Sequence, residues 1–137
     1  MTQQQDRRLQ RIYEEVLTLS RRFGRVDWDD EDGRWVLIYT LDLPSQYKPK
    51  EFTACLIDLP PDYPETQPSG TYVDPDLDIT SGHYYNRSYS DKGYTWICAH
   101  PQTWDPAYPW PQGDNLITVV ASVMQQLNLL KPGKGQR

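Results

Sequence analysis

Cys98 stands in GYTWICAHPQTWDP, between an aromatic run and a proline-containing turn, with His100 two residues on. A thiol of ordinary acidity, with a pKa of ~8.5, is a few per cent thiolate near neutral pH, and in that form it is a strong nucleophile. Nucleophilic chemistry at Cys98 therefore needs no dedicated base. Two other uses compete with this one. A cysteine following Trp96 and Ile97 also fits a small buried hydrophobe, and Cys98, His100 and His83 offer three metal-ligating side chains. The metal reading is the weakest, because there is neither a Cys-x-x-Cys nor a His-x3-His pair. No metal or other cofactor is expected. Residues two apart in a strand share a face, so the spacing permits a Cys98–His100 contact, but AHPQ reads as a turn that fixes no side-chain direction. A cysteine hydrolase is disfavoured for the same reason: it needs a positioned histidine with an orienting partner.

The elements around this stretch follow from its periodicities. Leu9, Ile12, Tyr13, Val16, Leu17 and Ser20 recur at helical steps, with Asp6 near the start and Gly24 as the stop. Arg7, Arg8, Arg11, Arg21 and Arg22 fall mostly off that stripe and form a cationic face, which is either solvated or a docking surface for an acidic partner. RVDW and RWVLIYTLDL flank the turn DDEDG as a hairpin, with Trp35, Leu37, Tyr39, Leu41 and Leu43 alternating against Val36, Ile38, Thr40 and Asp42. EFTACLIDL is a third strand, with Phe52, Ala54 and Leu56 on one face and Cys55 and Ile57 on the other. Mid-strand among apolar neighbours, Cys55 is expected to be buried and inert. LPPDYPETQP has four prolines in ten residues and must be a rigid turn. GTYVDP is short enough for one edge strand, and residues 76–94 form a long loop without periodicity. Leu116, Ile117, Val119, Val120, Val123, Met124, Leu127 and Leu130 make a second helical stripe, started by Asp114 or Asn115 and stopped at Lys131-Pro132-Gly133. The expected fold is α+β, one domain over residues 1–137: an N-terminal helix, a four-stranded antiparallel meander, an active-site loop carrying Cys98, and a C-terminal helix packed on the sheet.

Composition agrees with a folded domain in which five Trp and ten Tyr supply much of the buried area. A net charge of -5 and a pI near 4.9 argue against nucleic acid as a partner. No apolar run reaches the ~20 residues that span a bilayer, and MTQQQDRRLQ has no hydrophobic signal core, so a cytoplasmic protein without membrane contact is expected. A reducing compartment and the absence of framework spacing leave Cys55 and Cys98 as two free thiols.

Four segments in order carry a resemblance. PPDYPETQP is similar to the proline-rich segment after the third strand of ubiquitin-conjugating (E2) enzymes, GYTWIC to the approach to their active-site cysteine, and TWDPA to the Trp-x-Pro that follows it. NLITVVASVMQQLNLL resembles the helix beneath. The resemblance covers the chain from the first helix to Leu130 and points to a compact, divergent member. It is similar to E2-like proteins of bacterial operons that also carry E1-like activators and ubiquitin-like modifiers, a setting of antiphage defence. It implies that Cys98 takes a ubiquitin-like protein from an E1-like enzyme and passes it to an amine on a protein target. The family's His-Pro-Asn signature has its nearest match in His83-Tyr84-Tyr85-Asn86, which makes Asn86 the counterpart of the oxyanion-stabilising asparagine; a backbone N–H near Cys98 is the alternative donor. Asp105 and Asp114 are candidates to orient the attacking lysine. Arg7, Arg8 and Arg11 become candidates for contact with the activating enzyme. Trp104 and Trp110 are loop anchors first, and Trp104 is also a candidate for partner contact. The insertion YPWPQGD and an early C-terminus are further departures from the family, and the degraded His-Pro-Asn signature keeps a second function class open: a non-catalytic protein-binding module of the same fold, like the RWD-type domains.

Overall fold

The computed structural model describes residues 3–68, 70–77, 94–106 and 111–130. Helix α1 (Gln3–Phe23) is followed by strands β1 (Val26–Trp28), β2 (Trp35–Asp42), β3 (Phe52–Asp58), β4 (Thr71–Val73) and β5 (Thr95–Ile97), and the chain returns in helix α2 (Leu116–Leu129). The five strands form one antiparallel sheet in the order β1-β2-β3-β4-β5. The class is the α+β expected from the sequence, with one strand more: Thr95–Ile97, too short to show a period, pairs outside β4, so β4 is an inner strand.

Local chemistry accounts for the element ends. Gly24 adopts φ +84° and donates its N–H to Ser20 O, closing α1 in the left-handed conformation that glycine reaches without strain. In the β1–β2 turn the Asp29 carboxylate accepts the backbone N–H groups of Glu31, Asp32 and Arg34, and Gly33 takes φ +62°. Asn115 caps α2, its side chain accepting from Ile117 N–H while the Thr118 hydroxyl accepts from Asn115 N–H, a reciprocal box.

Both helices lie on one face of the sheet. Ile12, Val16 and Leu19 from α1 and Leu116, Val119, Val120, Val123 and Leu127 from α2 close over Val36, Ile38, Cys55, Ile57, Val73 and Ile97. The register lines up Val36, Ile57, Thr71 and Ile97 across four strands on this face, and Leu37, Leu56, Tyr72 and Trp96 on the other. A bulge in β2 between Ile38 and Leu41 inserts one residue, which turns Leu41 into the core, away from the face of Trp35 and Leu37 that strict alternation assigns it. Tyr47, in a short turn after β2, is buried and donates its hydroxyl to Leu127 O at 2.8 Å, tying the end of α2 to the sheet.

Helix α1 departs most from its sequence pattern. Tyr13 and Leu17 are exposed at the edge of the stripe, Leu19 is fully buried, and the charged pair Arg11 and Glu15 is inside, at 7% and 0% exposure. Arg11 is thus not on a solvated cationic face. Among the described residues no helix is long and apolar enough to cross a membrane.

Candidate active site

Cys98 follows directly on β5. Its strand continues the alternation past the last paired residue: Ile97 and Ala99 enter the helix-side core, while Trp96 and Cys98 lie with Leu56 and Tyr72 on the opposite face, against Trp35, Leu37 and Tyr94. The thiol is half-buried and free. Cys55, paired in register with Ile38 and Val73, is wholly buried, and loss of hydration pushes its thiol up to about 12. The two cysteines therefore differ as their segments suggest, one accessible and one inert.

Trp96 is seated by a glycine. A Cβ on Gly70 would lie 2.5 Å from Trp96 Cε2, well inside van der Waals contact, so the indole occupies the space a side chain would fill. His100, exposed, has Nδ1 3.0 Å from the carbonyl oxygen of Pro101, the residue that follows it. That contact draws the ring to the turn's own backbone. Among the described residues no group of three or more His, Cys, Asp and Glu side chains could hold a metal ion.

The segment after Cys98 is anchored to α1 and to the proline turn. Trp104 donates its indole N–H to Pro64 O at 2.7 Å and packs on the ring of Tyr63, whose centroid is 6.1 Å away, so Trp104 is an anchor of this loop. Asp105 is exposed, but its backbone is fixed: its N–H donates to Asp114 Oδ2 at 2.6 Å, and its carbonyl accepts Asp114 N–H at 2.7 Å. Below this strap sits the buried carboxylate of Glu15. Oε1 accepts the Tyr63 hydroxyl at 2.5 Å and the Leu116 N–H at 2.7 Å, and Oε2 accepts Arg11 Nε at 3.0 Å. Arg11 also reaches the carbonyls of Pro106 and Asp114, at 3.5 and 3.2 Å. Burial raises the Glu15 pKa against the opposing pull of Tyr63, the Leu116 N–H and Arg11. Tyr63 is held well above the usual phenol value by burial and by the neighbouring Glu15 charge, so it donates as a neutral hydroxyl.

The three arginines named from the sequence separate. Arg7 is exposed on a groove of about 580 Å³ between the start of α1 and the turn Pro61–Glu65. Arg8 crosses to the carbonyls of Asp32, Gly33 and Pro60 at 3.0, 2.8 and 3.0 Å, holding the hairpin and the proline turn to α1. Arg11 is committed to the Glu15 network. His83 and Asn86 lie outside the described residues, as does Trp110. Glu15 and Tyr63 were not legible as site neighbours, although a glutamate one helical turn after an arginine at Arg11 was a weak pointer to the pair.

A family model described as Prokaryotic E2 family E matches residues 19–129, a span that holds every strand, Cys98 and α2. No curated protein matched the chain, and no solved structure did.

Proposed function

The chain belongs to prokaryotic E2 family E, and on that premise we propose that Cys98 carries a ubiquitin-like protein as a thioester and delivers it to an amine of a protein target. The observation that carries this reading is the position of Cys98. It leaves the end of β5 half-exposed, on the face away from both helices, while Cys55 is sealed in the core. In the first step the Cys98 thiolate attacks the carbonyl carbon of a thioester held on an E1-like enzyme. A new C–S bond forms and the E1 thiolate leaves. In the second, a lysine amine attacks the same carbonyl, the C–N bond forms, Cys98 departs as thiolate, and the nitrogen sheds a proton to water. Both steps pass through a tetrahedral oxyanion, for which a donor is worth on the order of 100- to 1,000-fold in rate. Asn86 or a backbone N–H beside Cys98 fills that role. The exposed Asp105 carboxylate, on a backbone held by Asp114, orients the incoming amine. The exposed Arg7, on the α1 face, meets the E1-like enzyme.

Loading tests this directly. Incubation with an E1-like enzyme and the ubiquitin-like protein from the same operon, with ATP, gives a covalent adduct that thiol reductant removes. Cys98→Ser gives an ester that resists reductant and yields to mild alkali, and Cys98→Ala gives none. An adduct that persists in Cys98→Ala would move the chemistry elsewhere, and a folded chain that never loads would leave a binding module of the same fold.

A further inference from the structure

Among the described residues, several hydrogen bonds that hold the segment after Cys98 converge on one turn of α1. Trp104 is fixed by Pro64 O and by the Tyr63 ring, and the Tyr63 hydroxyl ends on Glu15 Oε1. Pro106 and Asp114 accept from Arg11, whose Nε is in turn held by Glu15 Oε2. Leu116, the first residue of α2, gives its N–H to Glu15 Oε1. A single fully buried carboxylate thus fixes the proline turn, the arginine and the helix start that together hold Trp104, Pro106, Asp114 and Leu116. A carboxylate is an unusual choice for a site with no exposure, because its desolvation is costly unless every lone pair in use is occupied. The three donors occupy both oxygens, and a neutral isostere cannot serve all three: an amide can accept at its oxygen but presents N–H groups to Arg11, itself only a donor.

We propose that Glu15 is a positioning residue for acyl transfer at Cys98, acting through Tyr63, Arg11 and the N-terminus of α2 on the segment that follows Cys98 in the chain. The proposal rests on Cys98 being the acyl carrier. Glu15 touches neither thiol nor substrate. Its contribution is to the placement of groups around the thioester, and misplacement of about 1 Å at a reacting centre costs on the order of 100-fold in rate.

Two variants and two rates test it. Glu15→Gln removes the Arg11 acceptor, and Tyr63→Phe removes one hydroxyl while keeping the ring against Trp104. Each is compared with wild type below its own melting transition. Alkylation of Cys98 by iodoacetamide reports the thiol alone, and single-turnover discharge of the loaded protein onto free lysine reports the surroundings of the thioester. The expected result is alkylation within twofold of wild type, with discharge slowed on the order of tenfold in Glu15→Gln and a few-fold in Tyr63→Phe. If Glu15→Gln fails to fold, Tyr63→Phe alone decides. Folded variants that discharge at the wild-type rate would overturn the positioning role and leave the thioester reading standing, as would alkylation and discharge falling in parallel, which marks a general loosening. A wild type that does not load would remove the acyl reading itself.

Discussion

Replacing Gly70 with alanine tests whether the sheet face beside Cys98 is packed as described. The new Cβ would sit 2.5 Å from Trp96 Cε2 and 2.6 Å from Cζ2, and the backbone there imposes no left-handed φ, so the effect is steric. Carbon atoms in contact prefer about 3.5 Å, so the indole or the strand must move by about 1 Å. Trp96 is 7% exposed, in the row of Leu37, Leu56 and Tyr72. Expelling a tryptophan that buries roughly 200 Å² would cost about 5 kcal/mol at 25 cal/mol per Å². Shifting β5 within a packed core costs about 1–3 kcal/mol, and the chain takes the smaller penalty. The expected destabilisation is about 2 kcal/mol, or roughly 8 °C in Tm for a domain of this size. Urea unfolding and calorimetry measure it. Because Trp96 lies two residues before Cys98, alkylation of Cys98 should quicken in the same variant. The cause is checked by a double-mutant cycle: in a Trp96→Phe background the penalty of Gly70→Ala should fall by about 1 kcal/mol or more. A Gly70→Ala protein as stable as wild type, or a penalty untouched by Trp96→Phe, would refute the packing argument.

Three further outcomes follow from groups elsewhere in the fold. Burial raises the Cys55 thiol from 9.0 to about 12, so its contribution to stability is whole below pH 9 and is lost as pH rises towards 12; the slope is at most about 1.4 kcal/mol per pH unit, and urea midpoints from pH 8 to 11 should fall more steeply in wild type than in Cys55→Ala, which keeps only the loss due to buried tyrosines such as Tyr63. The Thr71 hydroxyl is buried without a hydrogen-bond partner among the described residues, in register with Ile57 and Ile97, so Thr71→Val should stabilise by about 1 kcal/mol in the same assay; destabilisation would mean that the hydroxyl has a partner. Arg7→Glu should leave Tm unchanged and slow loading of Cys98, with a penalty that shrinks as salt rises, whereas Arg11→Glu should lower Tm by ten degrees or so, since it puts two carboxylates together in a buried site (about 3 kcal/mol or more).

What the sequence revealed was decided by whether a residue's neighbours follow a period. The α1 and α2 stripes, the hairpin and β3 were legible because burial there repeats at 3.6 or 2 residues. Leu41 was misplaced because a bulge breaks the count, and nothing in WVLIYTLD marks it. Strand β5 was missed because three residues cannot display an alternation. Arg11 falls on a cationic face in the sequence because charge normally means solvent, and its burial with Glu15 depends on donors to that carboxylate from Tyr63 and Leu116, 48 and 101 residues beyond Glu15, which no local pattern contains. The contrast between Cys55 and Cys98 could be read, since one lies inside an apolar strand and the other next to a proline turn. Loop anchoring by Trp104 was legible, but the group it anchors to needed the fold, because its acceptor is a backbone carbonyl forty residues earlier.

The alternation through β5 has a consequence for the thiol's identity as a reagent. Ile97 and Ala99 point one way, Trp96 and Cys98 the other, so the Cys98 thiol stays out of the helix-side core only because an odd number of residues, one, stands between it and Trp96. Inserting a single residue after Trp96, or deleting Ile97, would reverse its parity and turn the sulfur towards the helices, where Cys55 already shows the fate of a thiol out of contact with water. On the acyl-carrier proposal, the difference between a thiol that can carry cargo and one that is ballast is a matter of counting, which makes the length of the segment between Trp96 and Cys98 a stricter requirement than the identity of any residue within it.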